Sequence, residues 1–348
     1  MTASIPSKTR AYRLPKTEGI QSLVLEEGPV PQPKASEVLV KIHAVSLNYR
    51  DLVIATGQYV WGTKPDLIPT SDMSGTIISL GEDVKGWQVG ERVCANFFLD
   101  HIYGDITREI PASALGAGID GTLTEYRTFP AQSLVRVPKN LTHVEASTLP
   151  CAAVTAYSAL FGPCPVKAGE TVLCIGTGGV SIFAAQIAKV CGAEAIVTSS
   201  SDEKLEVAKK LGAKHLINYK THPEWEKEVL KITNGRGADH VIEVGGPGTF
   251  DKSLASVRPQ GSVHVIGFLA QTTETSNIPM KILSGCVNVR GIGVGPRSAF
   301  EQMNRLFEVN DVKPAVSKVF PFEQAKEALE FLAAQKHVGK VVIQVAED

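Results

Sequence analysis

The rhythm of apolar and polar residues changes twice along the chain. From about residue 10 to 150, segments such as "SLVLEEG", "EVLVKIHAVSL" and "GTIISLGEDVKGWQVGERVCANF" alternate apolar and polar positions and break at Gly or Pro. That period predicts short strands joined by turns, an all-β lobe of the partly open barrel kind. "FLDHIYGDITREIPASALGAGIDG" has no clean period and reads as a loop with at most a marginal helix. Beyond Pro150 the pattern becomes strand, helix, strand: "ETVLCIG", "GVSIFAAQIAKVCG", "AEAIVTS", "SDEKLEVAKKLG", "HLINY", "PEWEKEVLKITNG", "DHVIEVGG", "TFDKSLASVRP" and "SVHVIGFL". Strands alternating with helices of ten to fifteen residues imply right-handed crossovers and a doubly wound parallel sheet. "CVNVRGIGVG" reads as a sixth strand. The last stretch returns to mixed patterning, with helices in "AFEQMNRLFEVND" and "PFEQAKEALEFLAAQK" and a terminal strand in "KVVIQV". The expected fold is α/β: a Rossmann domain over 151–299 inserted in a β-rich domain built from 1–150 and completed by 300–348.

Length agrees with two domains, because single cores stop growing near ~250–300 residues and this chain has 348. Hydrophobic residues make up 43%, charged ones 20%, and the formal net charge is −1. This balance gives no electrostatic reason to expect nucleic acid or an anionic membrane as partner. The N-terminal stretch "MTASIPSKTRAYRLPKTEG" lacks the apolar core of a signal peptide, and no apolar run is long enough to span a bilayer. Six cysteines are dispersed without a C-x-x-C pair, which fits a reducing compartment. A cytoplasmic protein is expected.

Chemistry enters at "VLCIGTGGVSIFAAQIAK", where Gly176, Gly178 and Gly179 stand between a strand and a helix. Gly176 permits the tight turn, and Gly178 lets the backbone approach a pyrophosphate. The helix N-terminus beyond supplies oriented N–H groups. Ser181 replaces the third glycine of G-x-G-x-x-G and is small enough for close helix–strand packing. NAD-type folds present Asp or Glu about 20 residues further on. Here the second strand ends in Ser199, Ser200 and Ser201, with Lys204 one turn on and Tyr219 ending the next strand. Hydroxyls and a lysine suit a 2′-phosphate, so NADPH is expected over NADH. A capping role is open too, with Ser200 or Ser201 as N-cap and Glu203 completing a box with Ser200.

Together these features resemble the medium-chain dehydrogenase/reductase superfamily, over nearly the whole chain. The pieces that carry the resemblance are "NYRDL", "VGERV", "GTLTEY", "ASTLPCAAVTAY", "GTGGV", "HLINY" and "HVGKVVI". The resemblance implies a GroES-like β lobe around the Rossmann domain and a homodimer joined through the sixth strands. It implies an NADP(H) site using the turn as far as Val180, and Ser200, Lys204 and Tyr219 reproduce the spacing of the quinone oxidoreductase branch. Thr155 resembles the family's threonine near the nicotinamide, with helix packing as its alternative. Gly245, Gly246, Gly267 and Phe268 follow the fourth and fifth strands, where ligands approach an open parallel sheet. Lys340 is expected either at the cofactor's phosphates or as an exposed strand charge. The metal ligands of the zinc enzymes fall on Asn48, Ser71 and Cys151, a set that cannot hold catalytic zinc, so none is expected. No structural zinc is expected either, because 97–121 lacks cysteine. The hydroxyl–histidine proton relay of the zinc enzymes falls on Arg50 and Val53 and is missing.

What the resemblance leaves is a slot for a small molecule, with Asn48 and Tyr59 polarising a carbonyl or quinone oxygen. Each equally suits a loop-stabilising hydrogen bond. Asp51 is expected to orient Arg50 or cap backbone donors rather than act as a base, and Tyr49 and Arg50 equally suit a domain interface. Phe97 and Trp61 are candidate apolar walls. The expected activity is zinc-independent, NADPH-dependent reduction of a quinone or α,β-unsaturated carbonyl. An NADP-dependent alcohol dehydrogenase or aldehyde or ketone reductase is the alternative, and a nucleotide-binding protein without turnover is a third.

Overall fold

The computed structural model describes residues 5–269 and 276–347. In chain order the first strands are β1 (Lys8–Arg13), β2 (Val24–Pro29), β3 (Glu37–Leu47), β4 (Asp72–Leu80), β5 (Arg92–Ala95), β6 (Tyr126–Pro130) and β7 (Leu134–Arg136). The short helices α1 (Tyr49–Ala55) and α2 (His143–Ala146) are set among them. Then come α3 (Val154–Leu160), β8 (Thr171–Cys174), α4 (Gly179–Val190), β9 (Glu194–Ser199), α5 (Asp202–Leu211) and β10 (Ala213–Asn218). They are followed by α6 (Trp225–Ile232), β11 (Ala238–Glu243), α7 (Pro247–Ser256), β12 (Val257–Val265), α8 (Ile278–Gly285) and β13 (Asn288–Gly291). The chain ends with α9 (Arg297–Val309), β14 (Val316–Pro321), α10 (Ala325–Ala333) and β15 (Lys340–Gln344).

These elements form two compact units, one from 1–151 with 295–348 and the other from 152–294. In the first, a seven-stranded sheet runs β14-β15-β3-β4-β5-β7, with β6 also on β3. The 11-residue β3 is almost wholly buried. Val, Ile and Leu sit on both of its faces because it pairs with β4, β6 and β15 and is covered on both sides. Pairing with β15 sets Val341 opposite Leu47 and Val342 opposite Ser46. That register draws the last strand of the chain against the segment that leads into α1.

The second unit is a parallel six-stranded sheet in the order β10-β9-β8-β11-β12-β13. Its central strands β8 and β11 are buried along nearly their whole length, as strands covered on both faces are. Leu173, Ile196, Val241 and Val263 pack with Trp225, Val229 and Leu254 from the helices. Helix α8 and strand β14 lie in stretches whose pattern does not announce them, and β12 begins five residues before the predicted "SVHVIGFL". Among the described residues no helix is long and apolar enough to cross a membrane.

Candidate active site

In the first unit, the site is built where β3 ends and α1 begins. Asn48 is the N-cap of α1, with extended backbone. Its N–H donates to Asp51 Oδ2 at 2.8 Å, and the Asp51 N–H donates to the Asn48 carbonyl at 2.9 Å. Asp51 therefore caps backbone donors, one of the two tasks expected of it. Its carboxylate is buried and its Oδ1 makes no hydrogen bond. Burial pushes its pKa up to about 6, against the pull of the Arg50 charge and the Asn48 N–H.

Lys340 corrects the sequence-based reading. It is not an exposed strand charge, one of the two roles expected of it: its side chain is 3% exposed in β15. The ammonium donates to the Leu47 carbonyl and to Asn48 Oδ1, both at 2.6 Å, and lies 3.8 Å from Asp72 Oδ2. Asp72, which the sequence analysis missed, is fully buried at the start of β4. Ser71 Oγ donates to its Oδ1 at 2.7 Å, and the Cys151 N–H donates to its Oδ2 at 3.3 Å. Burial raises the Asp72 pKa, with Lys340, the Asn48 amide and these donors pulling it back. A carboxylate inside the apolar strand start "SDMSG" was the one signal that marked it.

This network fixes the orientation of the Asn48 amide. Its Oδ1 is taken by Lys340, and its Nδ2 is buried, facing Asp72 without a well-formed hydrogen bond. Beside it, Arg50 points to a more open corner. Its guanidinium stacks on Phe97 at 4.6 Å and on Tyr59 at 5.2 Å from the ring centroids. Nη1 donates to the Leu115 carbonyl at 2.9 Å, and Nη2 lies 3.5 Å from the Tyr59 hydroxyl. Phe97 is buried, Tyr59 half-buried, and Trp61, edge-on to Tyr59 at 5.2 Å, is 70% exposed. Tyr49 is also exposed.

In the second unit, Gly176 adopts φ +76°, and α4 starts at Gly179 with Gly178 as an N-cap that offers no side chain. A Cβ added at Gly176 or Gly178 would meet no atom within 4 Å. The glycines thus leave room beside uncapped helical N–H groups, the cradle that a pyrophosphate needs. Ser181 is fully buried and donates to the Ile175 carbonyl at 2.6 Å, so its hydroxyl closes the strand–helix contact. Val180 follows in the first turn, and Thr155 is buried within α3. At the ends of β9 and β10, Asn218 is in register with Ser199, so Ser200 and Tyr219 leave adjacent strand ends. Ser201 is the N-cap, accepting from the Lys204 N–H at 3.4 Å. The capping box expected of Ser200 and Glu203 does not form, because the helix begins one residue later. Lys204 is half-buried, and desolvation lowers its pKa.

The Gly245 and Gly246 N–H groups donate to Glu243 Oε1 at 2.7 and 2.9 Å. Thr249 and Ser253 donate to the same buried carboxylate. Glu243 thereby folds the turn after β11, with Gly246 at φ +82° and its missing Cβ leaving space for Phe268 Cα. Gly267 packs as closely on Val244, and the Phe268 ring is 47% exposed. Sequence reasoning missed Glu243 because its partners are neighbours along the chain and carry no motif.

The residues do not fit a catalytic zinc. Asn48 Oδ1 and Ser71 Oγ are engaged within the Lys340–Asp72 network. The Cys151 thiol is pushed up to about 12, by burial first and then by Asp72. Among the described residues no three His, Cys, Asp or Glu side chains are grouped to hold a metal ion.

Two family models match: the alcohol dehydrogenase GroES-like domain over 34–139 and the zinc-binding dehydrogenase over 179–308. A zinc-type alcohol dehydrogenase-like protein of Schizosaccharomyces pombe is 49% identical over 94% of this chain and 96% of its own length. A 2-methylene-furan-3-one reductase of Solanum lycopersicum is 31% identical over 98% of this chain and 80% of its own. The crystal structure of an NAD-dependent alcohol dehydrogenase superimposes with a TM-score of 0.88 at 31% identity, covering 97% of this chain and 100% of that one. The chain belongs to the medium-chain dehydrogenase/reductase superfamily and is an oxidoreductase.

Proposed function

We propose that this protein reduces the activated C=C of an α,β-unsaturated carbonyl, or a quinone, with NADPH and without a metal. The observation that carries this reading is the Lys340–Asp72 network, which engages Asn48 Oδ1 and Ser71 Oγ, at two of the three positions that hold metal in the zinc enzymes. A simple ketone develops its full charge on the attacked carbonyl oxygen and needs a strong stabiliser there. A conjugated acceptor takes hydride at carbon and spreads the charge to a distant oxygen. NADPH, when bound, supplies that hydride. The glycine turn and the bare N-terminus of α4 would hold its pyrophosphate, with Ser200, Lys204 and Tyr219 toward the 2′-phosphate. Half-buried Tyr59 offers ring surface and a proton-donating hydroxyl to a flat acceptor, with buried Phe97 backing the Arg50 guanidinium beside it. The tomato relative, by its name, reduces a 2-methylene-furan-3-one, which supports the C=C reading. The alcohol dehydrogenase names of other relatives support C=O chemistry as the second reading.

NADPH oxidation followed with an enone, a quinone and the matching saturated ketone decides between them. We expect the first two to turn over at least ~100-fold faster than the ketone, equally with and without chelator; a ketone as good as the enone would install the second reading. Ser200→Asp should weaken NADPH at least ~10-fold by like-charge repulsion and spare NADH. Unchanged NADPH affinity would remove Ser200 from the site. We also infer a homodimer through the free edge of β13, where the sheet order ends; light scattering of the purified protein checks it.

A further inference from the structure

Arg50 carries the one charge on the aromatic wall, and none of the groups it touches directly is an anion, although the Asp51 carboxyl lies within its field. Leu115 supplies a carbonyl, Tyr59 a hydroxyl, and Tyr59 and Phe97 their ring faces. None of these is an anion, and among the described residues no carboxylate lies within ion-pair distance of it. Nε is buried without a hydrogen bond. Arg10, Arg13, Arg136, Arg236, Arg258 and Arg297 each meet a carboxylate, whereas Arg92, Arg127 and Arg290 donate to carbonyls. Arg50 differs from these three in being stacked on two aromatic rings. A guanidinium fixed between two rings and tied at one end to a carbonyl is preorganised, and the environment gains most from an anion brought to its free edge. Its neighbour Asp51 feels the Arg50 charge but spends Oδ2 on the Asn48 N–H.

We propose that Arg50 is a catalytic residue whose guanidinium receives the oxygen on which negative charge develops, with Tyr59 completing the pair. The inference rests on the reductase reading above. The β-carbon of the acceptor receives hydride, and the C=C electron pair moves through the α-carbon to the oxygen, giving an enolate beside Arg50. The α-carbon then takes a proton from the Tyr59 hydroxyl, which recovers one from water, and the carbonyl re-forms. The acceptor gains two electrons and two hydrogens, the cofactor loses hydride, and no further oxidant or reductant is needed. Asn48, held by Lys340, serves as the frame of this corner.

The test uses the whole protein and a stable oxyanion. Trp61, 5.2 Å from Tyr59, reports binding by fluorescence, with Trp61→Phe as the control that assigns the signal. 4-Nitrophenolate should bind at least ~10-fold more tightly than the neutral 4-nitroanisole. Arg50→Met should abolish that preference while keeping NADPH affinity within about twofold, and Arg50→Lys should restore part of it. With an enone, Arg50→Met should lower kcat at least ~100-fold with little change in the NADPH KM. Equal binding of anion and ether by the wild type, or full phenolate binding by a folded Arg50→Met, would overturn the proposal. A loss of kcat with phenolate binding intact would assign Arg50 a merely structural role and overturn it as well. Phenolate selectivity without enone turnover would instead remove the reductase reading and keep Arg50 as an oxyanion site.

Discussion

The two units each bury a carboxylate against basic groups, and the two clusters end in opposite states. In the second unit, Asp239 at the start of β11 is almost wholly buried. It receives Arg236 through two bonds at 2.7 and 2.8 Å, Arg258 Nε at 2.5 Å and the Thr171 N–H at 2.9 Å. Burial alone would raise its pKa, but these donors outweigh it and hold the group at about 2. In the first unit, Asp72 has one lysine at 3.8 Å, a serine and one backbone N–H, and its pKa is raised. Asp51 nearby, with one hydrogen bond, is raised to about 6. Full compensation is the mark of a structural pair. Under-compensated buried charge costs stability and persists where an electric field or a fixed geometry is useful.

The sharpest way to break this contrast is Lys340→Met. It leaves Asp72 buried beside two donors, and the loss should reach about 3–5 kcal/mol at pH 8. Without the ammonium, Asp72 binds a proton more tightly, so the loss should shrink as pH falls; chemical denaturation at several pH values measures this. Next comes Asp51→Asn. The native carboxyl at about 6, against 3.8 for its ordinary value, means the folded state binds the proton more tightly. Its stability contribution is present at low pH and is lost as pH rises through that window, about 3 kcal/mol in all. The variant should therefore match the wild type near pH 4 and gain on it up to pH 7, where melting temperatures would show the difference. The smallest effect belongs to Asp239→Asn. Its depressed pKa contributes stability that is present above pH 4 and fades as pH falls toward 2, so the variant should lose about 2 kcal/mol at pH 7. That loss should stay constant across the range in which Asp51→Asn changes, and a parallel pH dependence would erase the distinction between the clusters.

Much of the second unit was legible because its signals are local. Strands β8 to β12 and the turn at Gly176 follow from apolar runs, a helical period and glycine spacing, each read over fewer than about 20 residues. The candidate site was legible only as a set of positions. Asn48, Asp51, Tyr59 and Phe97 could be named as candidates, but the amide of Asn48 is set by a lysine 292 positions away. No local pattern foretells such a contact, and Lys340 at a strand start reads as an exposed charge because buried lysines are rare. Arg50 was visible in "NYRDL" as a departure, while its stacking on Phe97 depends on how the loop after β5 returns to α1. Glu243 was invisible for the opposite reason, being an ordinary strand-end acid whose meaning lies in the turn it closes.

By itself the sequence determined the class of chain: which stretches form strands and helices, where a dinucleotide turn lies, and that the metal-ligand positions hold Asn48, Ser71 and Cys151. Hydrophobic periodicity and residue type carry that information along the chain. Which polar groups remain available for chemistry was decided only in three dimensions. Antiparallel pairing of β15 with β3 delivers the Lys340 ammonium to Asn48 and Asp72, and burial there sets the protonation of Asp51 and Cys151. Charge compensation depends on distance and desolvation, and both are properties of the packed chain.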